Sequence, residues 1–141
     1  MSYSVNDVYT KALGFLGELD DPQGAFDYEA RAPYLIASFC CNAKSLDKTL
    51  REANCLEEEP SFSPIYISIS EDFPLCDELI HPATLYVASM LVIDENSELS
   101  EKLYDQYCDS MATLAASLNV NGSPSVNPAV CESISEKYFF D

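Results

Sequence analysis

The side chains that could carry acid–base or nucleophilic chemistry are few, and histidine is the scarcest of them. The chain has 141 residues and one histidine, His81, which precedes Pro82 at the start of a predicted helix. A Ser-His-Asp or Cys-His arrangement would have to use this single residue, and no GxSxG or similar context accompanies it. A lone histidine at a helix start is usually structural. We therefore predict no catalytic set of this kind.

Cysteine is more common, and its chemistry depends on spacing. The six cysteines are Cys40, Cys41, Cys55, Cys76, Cys108 and Cys131. None forms a CxxC pair, and no zinc-type histidine spacing exists. The N-terminal stretch MSYSVNDVYT lacks the basic region and the apolar core of a signal peptide. We expect free thiols in a reducing cytosol, and we interpret Cys40, on an apolar stretch, as a small core residue.

Acidic side chains are numerous, but their spacing matches no ligand or catalytic pattern. The run 57–59 could attract a divalent ion, as could Asp20 with Asp21, yet neither group has the spacing of an EF-hand loop. The candidates for acidic surface are Glu57, Glu58, Glu59, Glu71 and Asp72. Four glycines build neither a GxGxxG pattern nor a P-loop. We predict no cofactor, no metal site and no enzymatic activity.

The overall charge limits the partners of the chain. Twenty-four Asp and Glu face seven Lys and Arg, which gives a formal charge of −17. Phosphates must be met by cations, so direct binding to a nucleic-acid backbone is disfavoured. Three alternatives stay open: the surface faces a basic partner, it repels DNA that passes nearby, or it serves solubility alone.

The elements that position these side chains are predicted to be helices. Apolar spacing and cap signals predict a mainly α fold, a small four-helix domain of residues 1–119. The helices cover about 5–19, about 27 or 30 to 53, an acidic turn at 77–78 with a main body at 82–93, and about 97–118. Ser4 is expected to cap the first helix, with Asp7 at the third helical position near the positive end of the helix dipole. Pro33 fits only near the first turn of the second helix.

The third and fourth helices have contrasting compositions. Residues 82–93 carry no charged side chain, but they are too few to span a bilayer, which needs roughly 20. We interpret them as a central core helix, with partial burial by another subunit as the alternative. The fourth helix, capped by Asn96 or Ser97, shows one apolar stripe and is expected to pack antiparallel on the third.

The stretch 55–75 contains three consecutive glutamates and three prolines, so it cannot form one long helix. Inside it, Ile65, Ile67 and Ile69 alternate with other residues, which predicts a short β segment with one apolar face. A lone strand leaves its backbone groups unpaired, so it must pair with a distant segment or with a neighbouring subunit. The candidate contact residues are Ile65, Tyr66, Ile67 and Ile69.

Residues 120–141 are predicted to form an extended C-terminal arm. The arm begins with Asn, Gly, Ser and Pro and ends with the aromatic residues Tyr138, Phe139 and Phe140. These aromatic residues either fold back onto the helices of the same chain or anchor on a neighbour. The two alternatives stay open, and all three residues are candidate subunit contacts.

Five stretches of the chain follow one another in a familiar order. They are an N-terminal helix ending in ALGFLGEL, a second helix closing with KTLREAN, the segment PSFSPIYISISEDFPLCDELIHP, and the helices LYVASMLVIDEN and SELSEKLYDQY. This order resembles that of small head–tail connector proteins of tailed bacteriophages, also called adaptor or head-completion proteins. The similarity covers most of residues 1–118, and the adjacent Cys40 and Cys41 depart from what the family leads us to expect.

The resemblance implies a structural virion protein without catalysis. Such proteins form a closed ring, typically a dodecamer, below the portal protein, where they extend the DNA channel and join the capsid to the next tail component. We expect assembly in the host cytoplasm, no membrane partner, and DNA that passes an acidic lumen without specific binding. The alternative is an acidic DNA mimic that inhibits a nucleic-acid-binding protein, whose binding would collapse at modest ionic strength.

Overall fold

A computed structural model describes residues 2–17, 27–56 and 59–120 and contains four α-helices over these ranges. The helices are α1 (Val5–Phe15), α2 (Asp27–Ala53), α3 (Ile80–Leu91) and α4 (Ser97–Val120). A short 3-10 turn, Asp77–Leu79, leads directly into α3. The mainly helical fold predicted from the sequence is confirmed, and the predicted arm beyond residue 120 lies outside the described residues.

α3 is the central helix of the domain. It packs most extensively against α4 and also contacts α1 and α2. Leu85, Val87 and Leu91 are fully enclosed, with at most 1% of their surface exposed. Because α3 is covered from three directions, it has few positions at which a charged side chain could reach water. This explains the uncharged run and confirms the interpretation of α3 as a core helix.

α2 and α4 run parallel to each other, with α3 antiparallel to both. Near the start of α2, Tyr28 donates to the carboxylate of Glu95, just before α4 begins. Further along, the rings of Phe39 and Tyr107 lie 6.1 Å apart, and Tyr86 of α3 lies 5.3 Å from Tyr107. These aromatic contacts join the three helices.

The start of α1 is fixed by the predicted capping box. The Asp7 N–H donates to Ser4 Oγ at 3.1 Å, and the Ser4 N–H donates to the Asp7 carboxylate at 2.9 Å. Each bond provides a partner for a backbone donor that a helix start leaves without one. α1 ends at Phe15, before the predicted end near residue 19, because Leu16 and Gly17 form a turn in which Gly17 has a φ of +79°. Residues 18–19 lie outside the described residues.

A distant part of the chain provides acceptors for the remaining free donors of α1. The Val5 N–H donates to the Glu71 carbonyl at 2.8 Å, and the Asn6 N–H donates to the Ile69 carbonyl at 3.0 Å. All four backbone donors at this helix start therefore have acceptors. Two of the acceptors come from residues more than sixty positions later in the sequence, so the start of α1 also anchors the segment 59–76.

The predicted β segment does not form a strand, and this is a correction. In the described part of residues 55–75, the backbone makes one isolated antiparallel bridge, between Ser4 and Asp72. The partner backbone is thus the same chain, at the start of α1, where too few extended residues exist to continue a ladder. The expected single apolar face is also absent, because Ile67 is buried at 3% exposure while Ile65 is 69% exposed.

Pro33 lies deeper in α2 than predicted. The helix begins at Asp27, so Pro33 is in its second turn, where it is buried and has no N–H to donate to the preceding turn. The Pro33 carbonyl accepts the Ile67 N–H at 3.2 Å. α2 therefore continues through the proline, and the backbone beside it holds part of the segment 59–76.

A buried ion pair joins α2 to the end of that segment. Asp47 is 1% exposed, and its carboxylate accepts the Cys76 N–H at 2.8 Å and Arg51 Nε at 2.8 Å. Arg51 Nη2 also donates to the Pro74 carbonyl at 3.0 Å. Because a buried carboxylate needs such partners, Asp47 fixes the position of residues 74–76 on α2.

Candidate functional site

The largest exposed apolar side chains of α2 and of the segment 59–76 meet at one place. Tyr34 is 54% exposed, Ile65 is 69% exposed and Tyr66 is 46% exposed. The rings of Tyr34 and Tyr66 pack edge to face with centroids 5.0 Å apart. We call Tyr34, Ile65 and Tyr66 the aromatic patch. Apolar surface presented in this way is typical of an interaction site.

The backbone on both sides of the aromatic patch is tied down. Before it, the Ser63 hydroxyl accepts the N–H groups of Ile65 and Tyr66 at 3.2 and 3.3 Å. After it, Ile67 is buried and donates to the α2 backbone at Pro33. The patch is therefore presented from fixed backbone, which lowers the entropy that a binding partner would have to remove.

Two of the four predicted contact residues in this segment lie in the patch. Ile65 and Tyr66 are exposed there, whereas Ile67 is buried and Ile69 is half-buried against the core. Sequence reasoning missed Tyr34, which lies outside the apolar stripe of α2. An aromatic residue on the polar side of an amphipathic helix was the available signal.

A groove lies along α2, and we call it the α2 groove. The three patch residues do not line it, but Pro64, the residue before Ile65, does. Its first part has a volume of about 320 Å³ and is lined by Cys41, Lys44, Pro60, Ser61, Phe62 and Pro64. Its second part, of about 560 Å³, is lined by Lys44, Ser45, Asp47, Lys48, Arg51, Glu52, Leu56, Glu59 and Pro60. The two parts share Lys44 and Pro60, and the Cys41 thiol donates to the Pro64 carbonyl at 3.6 Å.

Charge is unevenly distributed along the α2 groove. Three of the seven basic residues of the chain, Lys44, Lys48 and Arg51, line it. Arg51 is paired with buried Asp47, whereas Lys44 and Lys48 form no ion pair with any residue that the structure describes. Carboxylates line only the second part, so the part next to the aromatic patch carries a cation without an acid.

The three described residues of the predicted acidic surface, Glu59, Glu71 and Asp72, have different surroundings. The Glu71 carboxylate accepts the Ser68 N–H at 2.8 Å, and its carbonyl accepts the Val5 N–H, so Glu71 supports the local fold. Asp72 is exposed beside the bridge to Ser4, and Glu59 lines the α2 groove. Glu57, Glu58, Tyr138, Phe139 and Phe140 lie outside the described residues.

The groups that could do chemistry are separated from one another. His81 is exposed, its ring lies 6.0 Å from Phe15, and partial burial together with Lys11 lowers its pKa. Burial raises the pKa of the Cys40 thiol, and burial with a hydrogen bond to Asp47 raises the pKa of Cys76 to about 12. Both thiols therefore stay protonated near neutral pH and are poor nucleophiles.

Residues 2–17, 27–56 and 59–120 contain no group of three or more His, Cys, Asp or Glu side chains that could hold a metal ion. None of the helices in these ranges is both long enough and apolar enough to cross a membrane. The aromatic patch and the α2 groove together are the candidate site, because they combine three exposed apolar side chains with a groove that basic residues line. Comparison of the chain with family models, curated proteins and solved structures finds no match.

Proposed function

We propose that this chain is a structural assembly protein of the head–tail connector type in a tailed bacteriophage. Copies associate into a closed ring, a dodecamer, below the portal protein. The ring extends the DNA channel and joins the capsid to the next tail component in the virion. No catalytic step is part of this function.

The observation that carries the proposal is the aromatic patch. Tyr34, Ile65 and Tyr66 place three large apolar side chains at the surface of the domain, with exposures of 54%, 69% and 46%. A single exposed apolar residue is ordinary, but a contiguous group on fixed backbone favours protein association. In a closed ring each subunit offers two different surfaces, and the patch serves as one of them.

The charge of the chain supports the same function. At −17, the protein offers little attraction to phosphate, and a channel lined by such subunits lets DNA pass without adhering. Because like charges also oppose subunit association, contacts between copies need apolar area. The aromatic patch supplies it.

Size-exclusion chromatography with light scattering, followed by negative-stain imaging, tests the proposal on the full chain, alone and with a portal protein. We expect rings that persist as salt is raised, because apolar contacts are not screened. The double variant Ile65→Ser/Tyr66→Ser should dissociate them. Ile93→Ser, at an exposed apolar residue on the turn after α3, is the matched control and should leave them intact.

Two results would overturn the proposal. One is a monomer at every concentration, even with portal protein present. The other is tight binding of a basic nucleic-acid-binding protein that is lost at modest ionic strength, which is the behaviour of an acidic DNA mimic.

A further inference from the structure

We propose that the α2 groove and the aromatic patch bind the C-terminal segment of a second copy of this chain. We define the C-terminal segment as residues 132–141, ESISEKYFFD. This inference rests on the proposed ring and names the two surfaces that meet in it. One subunit contributes the groove, and the next contributes the segment.

The chemistry of the segment matches the chemistry of the site in order. The segment has three acidic residues, Glu132, Glu136 and Asp141, and Glu136 is followed after Lys137 by three consecutive aromatic residues, 138–140. The site has Lys44 in the first part of the groove and the aromatic patch next to it. An extended segment laid along α2 can therefore place its carboxylate on an ammonium group and its rings on Tyr34 and Tyr66. Aromatic contacts of this kind add to the area they bury.

The distance between the charged and the aromatic groups is similar in the site and in the C-terminal segment. Tyr34 and Lys44 are ten residues apart on α2, which corresponds to about 15 Å along the helix axis. Glu136 and Phe140 are four residues apart, which corresponds to about 13–14 Å in an extended chain. The carboxylate and the last aromatic ring can thus reach the two ends of the site without bending the segment.

The charge of the domain explains why a second copy would use this site. Two chains of −17 repel each other over most of their surfaces. Four lysines, Lys11, Lys44, Lys48 and Lys102, form no ion pair with a described residue. Of these, Lys44 and Lys48 lie one turn apart on α2 and line the same groove. Glu52 and Glu59 line the Leu56 end of the groove and oppose an acidic ligand there, so the segment is expected at the end near Cys41.

The arm is long enough to reach a neighbour. α4 ends at Val120, and Glu136 is sixteen residues further on, a span of up to about 55 Å when extended. This exceeds the length of α4 itself, which is about 36 Å for its 24 residues. Docking of one chain's segment in the next chain's groove is a head-to-tail contact, and such contacts close into rings.

Zero-length carbodiimide cross-linking of the full chain tests this inference. Equal amounts of nitrogen-15-labelled and unlabelled protein are mixed, unfolded, refolded together, cross-linked and analysed by mass spectrometry of the digest. We expect Lys44 linked to Glu136 in peptide pairs that combine the two isotopes. The triple variant Tyr138→Ser/Phe139→Ser/Phe140→Ser should reduce these links at least about tenfold, a loss of about 1.4 kcal/mol in binding. The control variant Ile93→Ser should not.

The outcomes separate this inference from the proposed ring. Links confined to single-isotope pairs mean that the segment occupies the groove of its own chain, which overturns docking between copies. Links to Lys102 on α4 as frequent as those to Lys44 mean random approach and overturn it too. Rings without Lys44 links overturn only this inference, whereas the absence of both rings and links overturns the proposed function as well.

Discussion

α3 and the aromatic patch are both rich in apolar side chains, but the fold treats them in opposite ways. α3 is enclosed by the other three helices, and most of its residues are buried. Tyr34, Ile65 and Tyr66 have no such cover and are each about half exposed or more. The difference separates two causes of high apolar content: α3 stabilises the domain, whereas the patch leaves area available for a partner.

The two regions are also held in place differently. α3 is positioned by burial of its own side chains. The patch belongs to a segment that combines buried apolar residues, among them Ile67, Phe73 and Leu75, with backbone hydrogen bonds and the carboxylate of Asp47. The position of this segment therefore depends on polar contacts as well as on apolar packing.

The largest expected effect is the loss of stability when a buried leucine of α3 is shortened. Leu85→Ala in α3 should lower the free energy of unfolding by about 3–4 kcal/mol, because Leu85 is 1% exposed and its removal leaves a cavity. Ile65→Ala in the patch should change it by less than about 0.5 kcal/mol. Urea unfolding of both variants measures the two changes. An equal loss of unfolding free energy in Ile65→Ala would contradict the contrast between α3 and the patch.

The next effect concerns the polar contacts that hold the segment. Asp47→Ala should cost about 2–3 kcal/mol, because it leaves the Cys76 N–H and the Arg51 guanidinium without their shared acceptor. Asp105→Ala, at an exposed carboxylate of α4, is the control. Urea unfolding measures both, and an unchanged stability for Asp47→Ala would mean that apolar packing alone positions residues 74–76.

A smaller effect is expected where α1 meets the same segment. Ser4→Ala removes the side-chain acceptor for the Asp7 N–H and should cost about 1 kcal/mol. Ser4→Asp restores an acceptor and should remain close to the original stability in thermal unfolding. If both variants lose the same amount, the side-chain cap contributes little and the backbone bridge to Asp72 dominates.

The smallest effect is the pH dependence from His81 at the start of α3. Partial burial and the nearby Lys11 lower the pKa of His81 below its ordinary value of about 6.5. The unfolded chain therefore binds the proton more readily, so the contribution of His81 to stability is complete above about pH 6.5 and falls as pH decreases below it. His81→Gln should reduce the loss of stability between pH 7.5 and pH 5.5. A loss as large as in the original protein would contradict this.

Helices were predictable from the sequence because their signals are local. The spacing of apolar residues predicted the four helices. The absence of charged side chains from residues 82–93 predicted that α3 lies at the centre. The third helix ends at Leu91 instead of the predicted Ile93, because the chain turns at Val92. That α2 continues through Pro33 was not predictable from the general preference of proline for the first turn of a helix. Whether a helix continues past a proline depends on the tertiary contacts around it.

The candidate site was predictable only in part, because it depends on contacts between distant residues. Ile65 and Tyr66 were identified, yet the alternation of isoleucines could not reveal that the opposing backbone is the start of α1. Nor could it reveal that the Pro33 carbonyl holds Ile67 against α2. Tyr34 and Asp47 became visible only when the return of the segment onto α2 was known.

The anchoring of α1 has a consequence for amide hydrogen exchange. Amides at the start of a helix normally exchange rapidly, because no earlier turn accepts from them. At Val5 and Asn6 the acceptors are the carbonyls of residues 71 and 69, so these two amides are protected only while that distant stretch stays docked. Their deuterium uptake therefore reports, from near the start of the sequence, each opening of the segment that carries Ile65 and Tyr66.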